Sequence, residues 1–267
     1  MKGRVKIAAV LVVYEEVIAE TETYRTLLKN TNIPYLVYDN SLNEQVVEGE
    51  NMSYVHNSNN PGVSKAYNEA INWAKKIKAS HLLLLDSDSV FPDTAFEQYQ
   101  AAILTFPNQL ILPSMVSANR KISPFYFSNG KTHYGDSIEE GQMELGEKLA
   151  INAGSLLPIN ALGNICFNET LPLDWSDVYF FRRLSKTSIK VQHIALKINH
   201  GLSEHEQGNL ASAKFRFDLY LRGIPEVSEG SWEKLLMYFW AKLKAIKLVL
   251  RHKSLWFLTQ YLRRLYE

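Results

Sequence analysis

The chain has one cysteine, Cys166, among 267 residues. A single thiol excludes an internal disulfide and any zinc site built on cysteine. Its neighbours Ile165 and Phe167 are apolar, so a buried structural thiol is expected rather than a nucleophile. Excess charge of either sign is also missing. There are 29 Lys and Arg against 28 Asp and Glu, a net +1, which excludes a basic nucleic-acid binder. No run approaches the ~20 apolar residues needed to cross a bilayer. Residues 7–14 are apolar but run straight into Glu15-Glu16 with no small-residue cleavage site, so they predict a buried strand and not a secretion signal. A soluble or peripheral cytoplasmic protein is expected. No G-x-G-x-x-G follows that run, which argues against a nicotinamide-dependent dehydrogenase.

What is present is core-forming material: 46% hydrophobic residues with 21% charged, enough for one large domain or a domain with an appendage. Over the first hundred residues, strand-like runs alternate with helix-like ones. Residues 6–14 are a continuous Val/Ile/Leu/Ala run, as in a strand covered on both faces. Residues 17–30 read as a helix, and 35–38 and 52–56 as strands. Residues 64–79 place Ala66, Ala70, Trp73, Ala74 and Ile77 on one helical stripe, and 81–85 are a buried strand. This alternation predicts an α/β fold with a mostly parallel central sheet flanked by helices. Further on, the pattern gives strands at 111–116 and 123–127 and a polar loop or hairpin at 129–148. A loop enters a helix over 173–184, a last strand covers 191–200, and the chain is helical from Trp232 almost to its end.

Ligands of open α/β sheets bind beyond the carboxyl ends of the strands. That selects the residues after Tyr14, Asp39-Asn40-Ser41 and Asp86-Ser87-Asp88. Carboxylates at i and i+2 can hold Mg2+ or Mn2+ together with a diphosphate; the plain alternative is an acidic turn. Asp39 can accept the imide N–H of a uracil or thymine ring, or simply make a turn. In Asn60-Pro-Gly62-Val-Ser64-Lys65-Ala66-Tyr67-Asn68, Gly62 lets backbone approach a ligand and Ser64 can cap the helix. The same residues also fit an ordinary helix start.

Val12-Val13-Tyr14, Tyr38-Asp39-Asn40-Ser41, the N-x-G-x-S-x-A-x-N run and Leu85-Asp86-Ser87-Asp88-Ser89 stand in an order and spacing that resembles glycosyltransferase family 2, of the GT-A fold, and within it the bacterial rhamnosyltransferase-type branch. The resemblance implies a nucleoside-diphosphate sugar donor, dTDP- or UDP-linked, held by Val13, Tyr14, Asp39, Asn40, Asn60, Gly62, Lys65, Asn68, Asp86 and Ser87. It also implies a metal at Asp88 and His200. Asn152-Ala-Gly154-Ser155, Leu162-Gly163 and Phe167-Asn-Glu169 are similar to the stretch that lines the family's sugar and acceptor site, and Gly154, Ser155, Trp175 and Arg183 are implied at the acceptor. Within Leu173-Asp174-Trp175-Ser176-Asp177 the implied catalytic base is Asp177, with Asp174 second; Arg183 matches the family's helix arginine. Tyr179 departs from the branch, which has a second acid there. Either aspartate also fits as the N-cap of a helix over 178–184. His56, His81, His133, His193, His205 and His252 read as turn histidines, whereas the position of His200 matches the branch's histidine near the metal or diphosphate.

The implied function is a metal-dependent inverting glycosyltransferase. It would move a sugar, rhamnose by analogy, to a glycan or lipid-linked acceptor in bacterial surface polysaccharide synthesis. One alternative is a silent nucleotide- or glycan-binding relic, which should have lost acids that Asp39, Asp86, Asp88 and Asp177 retain. Another is a sugar-nucleotide nucleotidyltransferase, whose Gly-rich, Arg-containing phosphate loop is missing after the first strand.

Charge divides the chain. Residues 231–267 hold eight Lys and Arg with two Glu, and the other 230 residues hold 21 basic and 26 acidic. A catalytic domain over 1–230 is expected, with a nucleotide-binding half at 1–92 and an acceptor half at 93–230, followed by a basic amphipathic tail over 231–267. There Leu235, Leu236, Phe239, Leu243, Ile246 and Leu250 share a stripe beside Lys244, Lys247 and Arg251. Such a helix lies on the inner face of the cell membrane, packs on the catalytic body, or meets a second subunit.

Overall fold

The computed structural model describes residues 6–30, 32–135, 138–201 and 209–266. Four parallel strands form one half of the main sheet: β1 (Ile7–Val13), β2 (Tyr35–Asp39), β3 (Met52–His56) and β4 (His81–Asp86). Between them lie helices α1 (Glu22–Lys29) and α2 (Val63–Lys76). After β4 come the short β5 (Ser89–Val90), α3 (Ala95–Thr105), β6 (Leu110–Ser117) and β7 (Arg120–Ser123). Next are β8 (Phe125–Ser128), β9 (Lys131–His133), β10 (Gly141–Met143), β11 (Lys148–Leu149) and β12 (Leu156–Pro158). The chain continues with α4 (Ser176–Ser185), β13 (Val191–His200), α5 (Leu210–Val227), α6 (Ser231–His252) and α7 (Trp256–Tyr266).

The main sheet runs β10-β13-β6-β12-β4-β1-β2-β3, with β5 paired to β13 and β7 to β6. In its centre only β12 runs against its neighbours. A second sheet, β11-β8-β9, stands apart.

β1 shows why its sequence is unbroken in hydrophobicity. Ala8, Val10 and Val12 face a core shared with α2, α4 and α5, and Ala9, Leu11 and Val13 face one shared with α1 and α3. Both faces are covered, as period-2 side chains in a three-layer sandwich require.

Several expectations are corrected here. The strand expected at 123–127 is two strands in different sheets, divided at Pro124. The stretch 129–148 contributes three short strands, one of them to the main sheet. Cys166 is exposed, because Leu162 and Phe167 are the residues its loop turns inward. Ser64 does not cap α2: Gly62 holds the cap position, and the Ser64 hydroxyl bonds across to another loop. His81 and His193 are buried inside strands rather than in turns, while His205 lies outside the described residues.

Helix α5 had no counterpart in the sequence reading. It packs with α6 and α7, and all three share the core beneath the main sheet through Phe217, Leu221, Met237, Ala241 and Phe257. Among the described residues no helix is long and apolar enough to cross a membrane.

Candidate active site

Parallel register brings the strand-end residues together. Val13 lies beside Asp39, and Val12 beside Asp86. The strand-end rule therefore selects one continuous edge of the sheet. Beyond β4 the chain turns back as β5, whose Ser89 pairs with His200 at the end of β13. This reversal carries His200 to the two acids. Its Nδ1 lies 3.4 Å from Asp86 Oδ2 and 3.4 Å from Asp88 Oδ1. Among the described residues Asp86, Asp88 and His200 form the one cluster able to hold a metal ion, with ligand atoms within 4.8 Å of one another.

Neighbours fix this loop. Ser89 Oγ donates to Asp86 Oδ1 at 2.5 Å and lies 3.1 Å from His200 Nδ1. Thr23 Oγ1, from the first turn of α1, donates to the Ser89 carbonyl at 2.7 Å. Gly201 N donates to the Asp88 carbonyl at 2.9 Å. Burial, then the Asp86 charge, pushes the Asp88 carboxyl up to about 7 against the pull of His200. Negative charge here exceeds what the chain itself compensates, the condition a divalent cation relieves. The two carboxylates suit Mg2+ or Mn2+, and the imidazole favours Mn2+ of the two, since Mg2+ prefers oxygen ligands. Thr23, Ser89 and Gly201 were not anticipated, since hydroxyls and a glycine that brace a loop carry no spacing signal.

On the nucleotide side, Tyr14 is exposed and Val13 buried. Asn40 is buried and its Oδ1 has no partner, an acceptor open to a ligand donor. Asp39 is already engaged. It accepts from Ser41 N at 2.9 Å, Tyr54 OH at 2.8 Å and Gln45 Nε2 at 3.4 Å.

The N-x-G-x-S run serves mainly to join the two halves of the domain. Val63 N donates to Pro172 O at 2.7 Å. The Asn68 amide exchanges bonds with the Phe167 backbone, at 3.0 and 2.9 Å. Lys65 pairs with Glu169 at 3.3 Å, and Asn60 turns the chain with φ 43°.

Asp177 sits in the first turn of α4, half-buried, and accepts from Val178 N at 2.8 Å. Neither aspartate caps the helix. Trp175 occupies the cap position in the left-handed region, φ 68°. Burial, and less strongly the Asp174 charge, raises the Asp177 carboxyl to about 6. Asp174 approaches Arg216 at 3.5 Å, and its Oδ2 is buried without a partner. Burial keeps the Tyr67 hydroxyl protonated, and the charges of Asp86, Asp177 and Asp88 all push it the same way. Asn152, at the head of the stretch similar to the family's sugar and acceptor lining, has a buried Oδ1 with no partner while its amide reaches Ser176 Oγ at 3.5 Å.

The four residues implied at the acceptor lie in different surroundings. Gly154 turns with φ 76° against Pro113, Met115 and Ile198, and Ser155 is buried with its hydroxyl on Ile151 O. The Trp175 indole donates to Tyr220 O at 2.9 Å, its ring packed on Phe127 and Tyr220. Arg183 is exposed in the last turn of α4. A cavity of about 510 Å³ lined by Thr105, Gln109 and Lys190 lies at the amino ends of β6 and β13, away from the acids.

The sheet, its covering helices and the acidic loop at the strand ends define the GT-A fold. The sequence model of glycosyl transferase family 2 matches residues 34–161, from the threshold of β2 through β12. TarS of S. aureus is similar in structure, with TM-score 0.55 and 16% identity, over 90% of this chain and 43% of that one. This chain thus spans less than half of that protein. TarS 1–349 in complex with UDP matches with TM-score 0.54 and 17% identity, over 88% of this chain and 70% of that one. GalNAc-T7, in a structure with UDP, GalNAc and Mn2+, matches with TM-score 0.59 and 11% identity, over 97% and 57%. No curated protein matches the chain in sequence. The family match covers just under half of the chain, and the structural neighbours share the fold over nearly all of it.

Proposed function

We propose that the chain is a metal-dependent inverting glycosyltransferase. It moves a sugar from a nucleoside-diphosphate donor to a glycan or lipid-linked acceptor in the synthesis of a bacterial surface polysaccharide. The observation that carries this reading is the meeting of Asp86, Asp88 and His200 at the strand ends.

Val13, Tyr14 and the open acceptor of Asn40 take the nucleotide, and Asp86 and Ser87 lie toward the sugar. UDP in the TarS and GalNAc-T7 structures makes a uridine nucleotide the first donor to test. dTDP-rhamnose follows from the branch resemblance. Asp86, Asp88 and His200 would hold Mg2+ or Mn2+, which neutralises charge on a departing diphosphate. Asp177 takes the proton of the acceptor hydroxyl as that oxygen bonds to the anomeric carbon and the carbon–diphosphate bond breaks. A single displacement inverts the centre. A carboxyl raised to about 6 is a stronger base than an ordinary one and still ionised at neutral pH.

The test is calorimetric titration with UDP, dTDP and GDP, each with and without Mn2+, on wild type and Asp88→Ala. Metal-dependent binding of one nucleotide, lost in the variant, is the expected result. No metal-dependent binding of any of them would sink the reading and leave the relic.

A further inference from the structure

The face of α6 that its sequence marks as most apolar is turned to solvent. Trp232, Leu235, Phe239, Leu243, Ile246 and Leu250 are each between 40% and 76% exposed. At 100° per residue they fall within an arc of about 80° and run about 27 Å along the helix. The body instead takes the opposite face, through Met237, Tyr238, Ala241 and Ala245. Small alanines let the helix lie close to the core, and this leaves the bulky side chains outward. A contiguous apolar stripe of this size on a surface marks an interaction site.

Charge around the stripe selects the partner. Lys242 and Lys247 border it on its two sides, and both are exposed. Glu233 is the one acid in α6 and α7 together, and it is taken by Arg182 at 2.6 Å. Leu255, just before α7, and Leu262 within it are exposed as well. A second copy of the chain fits poorly. Midway along the stripe Lys242 flanks it, so an antiparallel two-fold pairing sets that lysine against its twin at the edge of an apolar seam, and a parallel pairing sets it near Lys247 of the other copy. Anionic headgroups accept both lysines while the apolar side chains enter the acyl boundary.

We propose that the outer face of α6 seats the protein on an anionic lipid surface. This goes beyond the transfer reaction, and its test uses neither donor nor acceptor, so the two readings fail separately. The full chain is sedimented with vesicles of phosphatidylcholine, or of phosphatidylcholine mixed with phosphatidylglycerol. Binding to the mixed vesicles alone, weakened by salt, is expected. Lys242→Gln with Lys247→Gln should weaken it by about 30-fold. Phe239→Gln with Leu243→Gln should abolish it, with an unchanged circular dichroism spectrum because both side chains are exposed. The proposal is overturned by failure to bind mixed vesicles, by equal binding to both vesicle types, or by a folded stripe variant that binds like wild type. A solution dimer that Phe239→Gln dissociates would also overturn it, by assigning the stripe to a second copy.

Discussion

The Ser64 hydroxyl lies 2.8 Å from that of Ser176, tying the first turn of α2 to the first turn of α4. Ser64 also donates to the Leu171 carbonyl at 2.5 Å, so the Ser176 hydroxyl is the donor between the two. Both serines are buried. Helix α2 thereby holds the residue just before Asp177.

Ser64→Ala should cost about 1–2 kcal/mol, because it strips partners from a buried carbonyl and a buried hydroxyl. With the start of α4 loosened, kcat should fall more than the donor KM rises. Urea denaturation and steady-state kinetics read the two effects. An unchanged kcat would mean that this link does not position Asp177.

Gly62→Ala should be more damaging. Gly62 has φ 89°, and an added Cβ would lie 2.2 Å from the Pro172 carbonyl oxygen. Backbone strain and the clash together predict a loss of at least about 2 kcal/mol. A melting temperature equal to wild type would show that the 171–173 loop yields.

Transfer should fall as pH drops through about 6, where Asp177 takes up a proton and can no longer accept one. Asp177→Asn should keep metal-dependent nucleotide binding and reduce transfer by about 10²-fold or more. A rate that stays flat through that range, or an asparagine variant with full transfer, points to Asp174 instead.

Arg182 Nη2 pairs with Glu233 at 2.6 Å, and the neighbouring Nη1 reaches Val227 O at 2.5 Å, so the catalytic helix clamps the end of α5 to the start of α6. Burial pushes the Glu233 carboxyl up, but bonds from Arg182 and the Glu229 backbone outweigh it and leave the pKa below 4.5. Glu233→Gln should cost about 2–3 kcal/mol by stranding a largely buried guanidinium. In wild type this contribution is complete above pH 4.5 and is lost as pH falls through the lowered pKa. Thermal melts of both proteins across that range should converge at low pH.

Much of this was legible in the sequence because the central strands are covered on both faces. β1, β2 and β4 announce themselves as continuous apolar runs, and the acids at their ends follow from the strand-end rule. The later elements are shorter and mixed. Pro124 splits a run that reads as one strand, and Gly223 with Pro225 makes the end of α5 read as a turn. Gly223 is there because the Trp175 ring leaves no room for a Cβ, a constraint set by a residue far away in sequence. The same holds for Ser64, Asn68 and Ser155, whose polar groups serve neighbours inside the fold. The brace at Ser89 and Thr23 was hidden for a like reason, since β5 pairs with a strand over a hundred residues away.

Trp175 holds a left-handed backbone immediately before the catalytic helix, and its indole is secured by Tyr220 and the gap at Gly223 on α5. The acidic cluster is complete by residue 200, whereas the groups that secure Trp175 lie beyond residue 210. Under the proposed reaction the aim of Asp177 therefore depends on α5, a helix that contributes no acid to that cluster.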